Sequence, residues 1–419
     1  MAVHSRQLRH RPPRPHNPIP ESRYEVLALF TIAMVGASLS VMSTGALMPF
    51  FRSALHLSPT QLGLILSIQM LGSVAMTSVA GILTDRYGDK AIVFWSGAFM
   101  GLSLIAASLV ESYPWLIFWL LMYGIGYAAV TPAGSHAIIF FFRKADRGLA
   151  MGVRQCGVPI AGVIGSLLLP AIALRFEYRG ALAVAGLLTL LACSIASALY
   201  REPLELHGER ASVRAVFAQM VGIARDPRLI LLTITSMVLI CSQFALMGFL
   251  TNTLAHAAGY AIAIAVGLFT LSQLAAVAGR LSWGWLSDRV FDGSRALPLA
   301  LICALVALVA LGVATIGATT PPWLAILLVL ALGFTAEGWL GLSVIGFAEI
   351  GGEEHSGSAL GVGLTGTLLA AFVTPTLFGA IVEVHGFAFA WRSLAFVEAL
   401  GIVPALLASR VAARVLSTA

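Results

Sequence analysis

The sequence predicts an all-α membrane protein with twelve transmembrane helices, and three observations carry that prediction. Apolar runs of about twenty residues recur along the chain, each enough to cross a hydrocarbon layer as a helix. Hydrophobic residues make up 59% and charged residues only 11%, against roughly 25% charged in soluble domains. A short polar loop is also echoed 203 positions further on, after the matching run of a second half. In lipid the backbone must satisfy its own hydrogen bonds, so runs this long read as helices.

Residues 1–23 are rich in Arg, His and Pro and are expected to form a disordered cytosolic tail. A full-length span follows, so this segment does not read as a cleaved leader. The first six spans are placed at 26–50, 61–82, 91–110, 115–142, 149–173 and 181–200, within residues 24–200. Span 4 carries Pro132, where a kink would free carbonyls, and then His136. Span 5 carries Arg154 and Gln155. Residues 201–227 are the longest internal polar stretch and read as a cytosolic linker, with an amphipathic segment near Val213–Ile223. Spans 7 to 12 follow at 228–250, 261–286, 297–318, 323–348, 358–381 and 393–410, filling residues 228–410. Span 7 carries Gln243 and Asn252, span 8 Gln273 and Arg280, span 10 Glu337 and span 12 Glu398. Residues 411–419 are expected to be a second cytosolic tail.

Charge orients the chain. With both ends in the cytosol, 19 of the 25 Lys and Arg fall on the inner side, and only Arg52, Arg175, Arg179 and Arg392 on the outer. Basic residues accumulate on the cytosolic side. The net charge of +6 is spread over helix ends and implies no nucleic-acid partner.

Other chemistries are excluded by context. Cys156, Cys193, Cys241 and Cys303 all lie in apolar spans without metal-ligand spacing, so neither a disulfide nor a metal site is expected. Gly361-Val-Gly363-Leu-Thr-Gly366 matches a dinucleotide pattern, but no strand precedes it, and the glycines read as packing residues. No nucleotide loop and no Ser-His-Asp set occurs in polar surroundings. The chain is expected to be neither an enzyme nor an ATP-driven pump, and to use no cofactor.

The echoed loops are Gly81-Ile-Leu-Thr-Asp85-Arg86-Tyr-Gly88-Asp89-Lys90 and Gly284-Trp-Leu-Ser-Asp288-Arg289. This Gly-x-Leu-(small)-Asp-Arg pattern between apolar spans resembles the signature loop of the major facilitator superfamily of secondary transporters. The second copy departs after Arg289, with Phe291-Asp292-Gly293 where a Gly and basic residues are usual. The resemblance implies two pseudo-symmetric six-helix bundles, a substrate site between them near midplane, and loops that clasp the halves on the cytosolic side. Span 5, with Gly157, Pro159 and Gly162, and span 11, ending near Pro375 and Gly379, are similar to those of bacterial facilitators. The expected location is therefore a bacterial inner membrane, and the expected state a monomer. Val158 separates the Gly-Pro pair that antiporters of the family keep adjacent, and Leu120 stands where proton-coupled members often carry Arg in span 4.

Charges inside a membrane are costly and therefore face a cavity or a partner. Arg280 shares a stripe of span 8 with Gly284 and Asp288. It lies six residues, or about 9 Å, from the span end, and Arg154 lies at similar depth in span 5. A planar guanidinium suits a carboxylate, so the two arginines are expected to hold a small organic anion. Gln155, His136, Gln243 and Gln273 are expected to line the same cavity, with Gln69 and Asn252 as further polar candidates. Glu337 shares a face of span 10 with Gly333 and Gly341 and occupies the position of a proton carrier. Glu398 reads as structural. Gly279-Arg280-x3-Gly284 is similar to the span 8 run of monocarboxylate carriers, except that Ala276 stands in place of their acidic residue. The expected activity is proton-coupled carriage of a carboxylate; the alternative is proton-driven efflux of amphipathic drugs.

Overall fold

The computed structural model describes residues 22–142, 147–203 and 221–418, and its long elements are all α-helices. Residues 1–21 of the expected tail and 204–220 of the expected linker lie outside the described residues. The helices are α1 (Ser22–Leu55), α2 (Pro59–Ser108), α3 (Tyr113–Phe141), α4 (Arg147–Gln155) and α5 (Gly157–Leu199). They continue as α6 (Pro227–His256), α7 (Ile262–Arg289), α8 (Ala296–Val313), α9 (Pro322–Ala336) and α10 (Leu340–Thr418).

Among the described residues, ten stretches are long and apolar enough to cross a membrane. Two of them, Ala150–Leu199 and Ser358–Val411, run to 50 and 54 residues, about twice what one crossing needs. Each turns back once. Phe176 and Glu177 leave helical geometry in the first, and Gly386, at φ 82°, does so in the second. Those kinks fall in the gaps expected between spans 5 and 6 and between spans 11 and 12, so the ten stretches make twelve crossings. Gly88 (φ 82°) divides spans 2 and 3, and Gly352 (φ 64°) divides spans 10 and 11.

Two spans expected to be continuous are interrupted. Span 5 keeps helical dihedrals through Cys156 but loses one backbone hydrogen bond where α4 gives way to α5, and span 10 breaks over Glu337–Trp339, between α9 and α10. The correction matters because a broken helix leaves carbonyls without their usual donors.

Lipid is as apolar as a leucine side chain, so helices associate through close packing and interhelical hydrogen bonds rather than through apolar burial. Thr189 of span 6 donates to the Gly36 carbonyl of span 1 at 2.8 Å, and Ser73 of span 2 donates to the Gly124 carbonyl of span 4 at 3.0 Å. In the second half, Ser236 of span 7 donates to Ser343 of span 10 at 2.8 Å. Trp95, Leu167, Leu308 and Phe396 are all more than 60% exposed on the outside of the bundles, as a lipid-facing surface requires.

The chain alternates between two ends of this bundle. One, here the signature face, carries the echoed loops at Gly88 and Arg289; the other is the opposite face.

Candidate functional site

The two interrupted helices meet at one side chain. Pro159 has no N–H, so the carbonyl of Gln155, four residues earlier, loses its helical donor. Arg280, reaching across from span 8, donates Nη1 to that carbonyl at 2.9 Å. Its Nε donates at 3.2 Å to the main-chain oxygen of Glu337, the residue that caps the end of α9. One guanidinium thus ties an interruption in the first half to an interruption in the second. The remaining nitrogen, Nη2, is buried without a hydrogen-bond partner. An unmet buried donor is costly and calls for a ligand or another partner.

Glu337 is fully buried in the same enclosure. Its Oε1 accepts from Gln273 Nε2 at 2.6 Å, and its Oε2 has no donor. Spans 8 and 10 touch backbone to backbone here: a Cβ on Gly279 would come within 2.2 Å of the Phe334 carbonyl, and one on Gly333 within 2.1 Å of the Ser272 carbonyl. That contact is what brings Gln273 and Arg280, seven residues apart on one helix, to either side of Glu337. Trp283 and Trp339 take up further carbonyls around the break, donating to Phe334 at 3.1 Å and to Ala336 at 2.9 Å. Gly333 makes the expected close approach, but Gly341 does not: a Cβ there would meet nothing within 4 Å, because the break turns it off the contact face.

Arg154 takes a different place from Arg280. It is wholly buried against span 4, donating to Ser135 Oγ at 3.0 Å and to the Val130 carbonyl at 3.2 Å, and it packs on the bare backbone of Gly134. It therefore lies behind the enclosure instead of offering a second open fork. Tyr127, half-buried on span 4, faces both guanidinium groups electrostatically. Its hydroxyl is 3.3 Å from Ser38 Oγ. Gln155 and Gln243 each keep a buried amide oxygen without a donor, as do Gln69 and Asn252. The His136 side chain lies outside the described residues. Glu398 is buried beside Ser242 of span 7, within the second half.

At the signature face the side chains of Gly81 and Asp85 lie outside the described residues. Gly88 has a left-handed backbone, and its missing Cβ makes room for Glu202, whose Oε1 accepts from the Asp89 N–H at 2.5 Å. Arg86 is exposed, 5.3 Å over the Tyr87 ring. In the second copy Gly284 faces open space and Arg289 is exposed. Asp288 pairs with Arg295 at 2.6 Å, and Arg295 also pairs with Glu349 at 2.9 Å. In this arrangement Asp288 pairs within its own half; the clasp between halves is expected of the outward-facing state, when the signature loops meet. The Phe291-Asp292-Gly293 turn, left-handed at Asp292 and Gly293, folds Arg295 back onto Asp288.

The opposite face is where the halves close on each other. Gly63 of span 2 lies against the Pro375 carbonyl of span 11, and Gly379 against that of Pro59. Gly45 of span 1 lies against the Met247 carbonyl of span 7. Thr376 and Ser67 share a hydrogen bond of 2.8 Å, and Thr60 donates its hydroxyl to Glu383 at 2.5 Å and its N–H at 3.3 Å. Sequence reasoning missed Tyr127, Glu202 and Glu383. It also noted Pro159 without seeing that the proline strips the Gln155 carbonyl, a signal readable four residues upstream.

Comparison with known proteins adds to this geometry. Residues 30–350 match the family model described as Major Facilitator Superfamily. An uncharacterised MFS-type transporter of Mycobacterium tuberculosis is 27% identical over 384 residues, 91% of this chain and 84% of that protein. The 3-(3-hydroxy-phenyl)propionate transporter of Escherichia coli K12 is 28% identical over 62% of this chain and 64% of its own length. Among solved structures, a bacterial homologue of the human lysosomal transporter Spinster, in an inward-facing and occupied conformation, superposes with a TM-score of 0.72 at 15% identity. That match covers 93% of this chain and 96% of the other.

Proposed function

The chain belongs to the major facilitator superfamily, a multi-pass membrane transporter and not an enzyme, and on that premise we propose that it carries a small organic carboxylate together with a proton. The observation that supports this most is Arg280, held between the Gln155 and Glu337 carbonyls with Nη2 unbonded. A carboxylate presents two oxygens in the geometry of the guanidinium fork and adds a full negative charge that the two carbonyls lack. An arriving anion therefore displaces Gln155 from Nη1, fills Nη2, and unties span 5 from span 8.

Glu337 supplies the proton. Ionised, it neutralises the enclosure it shares with Arg280; protonated, it leaves the guanidinium charge uncompensated and attractive to an anion. Anion and proton then cross as a pair of lower net charge, which a low-dielectric path favours. Arg154, one layer behind, adds positive potential. Gln155 and Gln273 are the neutral polar contacts of the site, and Gln243 and His136 remain candidates beside them.

With the signature face assigned to the cytosol from the distribution of Lys and Arg, the closed opposite face supports reading this arrangement as inward-facing. Alternating access then consists of parting the Gly63, Gly45 and Gly379 contacts while the signature loops come together. A relative named for a phenylpropionate, itself a carboxylate, fits this cargo.

A thermal-shift screen of the purified protein against small carboxylates and common amphipathic drugs tests the proposal. Stabilisation by acids that vanishes in Arg280→Ala is the expected result. Stabilisation by neutral or cationic drugs that survives Arg280→Ala would replace this reading with drug efflux.

A further inference from the structure

Gln273 stands between the Glu337 carboxyl and the backbone of span 5. Its Nε2 donates to Glu337 Oε1 at 2.6 Å. Its Oε1 has no donor and lies 2.4 Å from where a Cβ of Gly162 would stand. The amide thus turns one end to each half of the protein, at a seam continued by the 2.7 Å bond between Ser166 and Thr270.

We infer that Gln273 is a positioning residue that relays the proton on Glu337 to the seam between the halves by rotating its amide. The inference rests on the assignment of Glu337 as the proton carrier. A carboxylate can only accept, so it selects the amide NH2; a carboxyl protonated on Oε1, the oxygen that faces Gln273, donates its O–H there and selects the amide oxygen. The orientation seen here suits ionised Glu337. The amide oxygen then lies against the bare Cα of Gly162, where a C–H can face it.

When a proton binds Glu337, no other bond has to form or break for the balance to close. The amide turns about 180°, offering its oxygen to the new O–H and carrying its NH2 to Gly162, where two hydrogens replace one oxygen and find no acceptor. The seam between spans 5 and 8 is thereby loosened. The charged and titratable groups around this enclosure are Arg280 on span 8, Cys156 and Arg154 on span 5 and Tyr127 on span 4. The hydrogen bond made by the Gln273 amide goes to Glu337.

Cys156, 8% exposed where α4 gives way to α5, is a native reporter of the seam. The full chain in lipid nanodiscs, without added substrate, is treated with N-ethylmaleimide at one pH near neutrality. Labelling of Cys156 is then read by peptide mass mapping. Glu337→Gln, a neutral side chain that brings an NH2 donor to the place of the carboxylate, should raise labelling about two- to tenfold, the weight of one hydrogen bond. Gln273→Met should erase the difference between Glu and Gln at 337. Gly162→Ala, which displaces the amide without touching Glu337, should label at the raised level whichever residue occupies 337. An undiminished effect of Glu337→Gln in the Gln273→Met background, or Gly162→Ala labelling like the parent chain, would overturn the inference. Because no substrate is present, failure to transport carboxylates would defeat the cargo assignment without altering this result.

Discussion

Arg280 donates to the main-chain oxygen of Gln155, a carbonyl that Pro159 leaves without its helical donor. A proline in one half thus creates the acceptor that an arginine from the other half occupies. In the proposed mechanism an anion that takes the guanidinium breaks this bond, which would make the seam between spans 5 and 8 a sensor of the cargo. The other Arg280 contact, to Glu337, lies within its own half and has no reason to change when the halves part.

Pro159→Ala restores an N–H that can satisfy Gln155 from within span 5. Arg280 then gives up less when a carboxylate binds. A net hydrogen bond is worth about 1 kcal/mol, so carboxylate affinity should rise about fivefold in titration calorimetry. Unchanged or weaker binding, with Arg280→Ala still abolishing it, would show that the Gln155 carbonyl does not compete for the guanidinium.

Arg280 and Glu337 should separate binding from coupling. In proteoliposomes, Arg280→Ala should abolish uptake, and Arg280→Lys should weaken it by about tenfold or more, because an ammonium cannot grip two oxygens in one plane. Glu337→Gln should keep substrate exchange at equal concentrations while losing accumulation driven by an imposed proton gradient. Proton-driven uptake at the parental level in both Arg280→Ala and Glu337→Gln would remove the coupling scheme.

How much of this was legible beforehand differs by residue. The crossings were, because lipid demands long apolar helices, and even the fold-backs at Phe176–Glu177 and Gly386 fell in the gaps left for them. That Arg280 and Glu337 would each face a cavity or a partner followed from the cost of leaving either alone in oil; that they share one enclosure did not. The break in span 10 was not expected, because one glycine beside Glu337 does not end a helix when the apolar run continues on both sides. What holds it open is Arg280 and Trp283, more than fifty residues away. The direction taken by Arg154 was hidden for a similar reason. It depends on the groove left by Gly134 on another helix, and no local pattern reports a neighbour across the bundle.

That groove gives a stability test. A Cβ at position 134 would lie 2.5 Å from Arg154 Nε, so Gly134→Ala overpacks a buried cation. The cost should be about 1–3 kcal/mol, read as a lower midpoint in thermal denaturation. Arg154→Ala should also destabilise, since it removes the side chain that bonds Ser135 and Val130. The double variant should recover part of the first loss, because the clash disappears with the arginine. Strict additivity would mean that the two residues do not press on each other.

Glu383 and Thr60 make the opposite face responsive to acid. Hydrogen bonds from the side chains of Thr60 and Ser58 and from the Thr60 N–H hold the Glu383 carboxyl below its ordinary 4.5. A carboxyl with a depressed value favours the closed state above its ordinary range and loses that effect as pH falls through the lowered value. Closure should therefore be unaffected between neutrality and about pH 5 and weaken only below about pH 4. With Glu383→Gln the acid step should disappear, since an amide does not titrate. Thiol labelling of Ser58→Cys, compared with and without Glu383→Gln at each pH, reads the gap directly. Equal acid-induced labelling in both backgrounds would place the sensitivity elsewhere, on His256 at the same face or on the buried acids within the bundle.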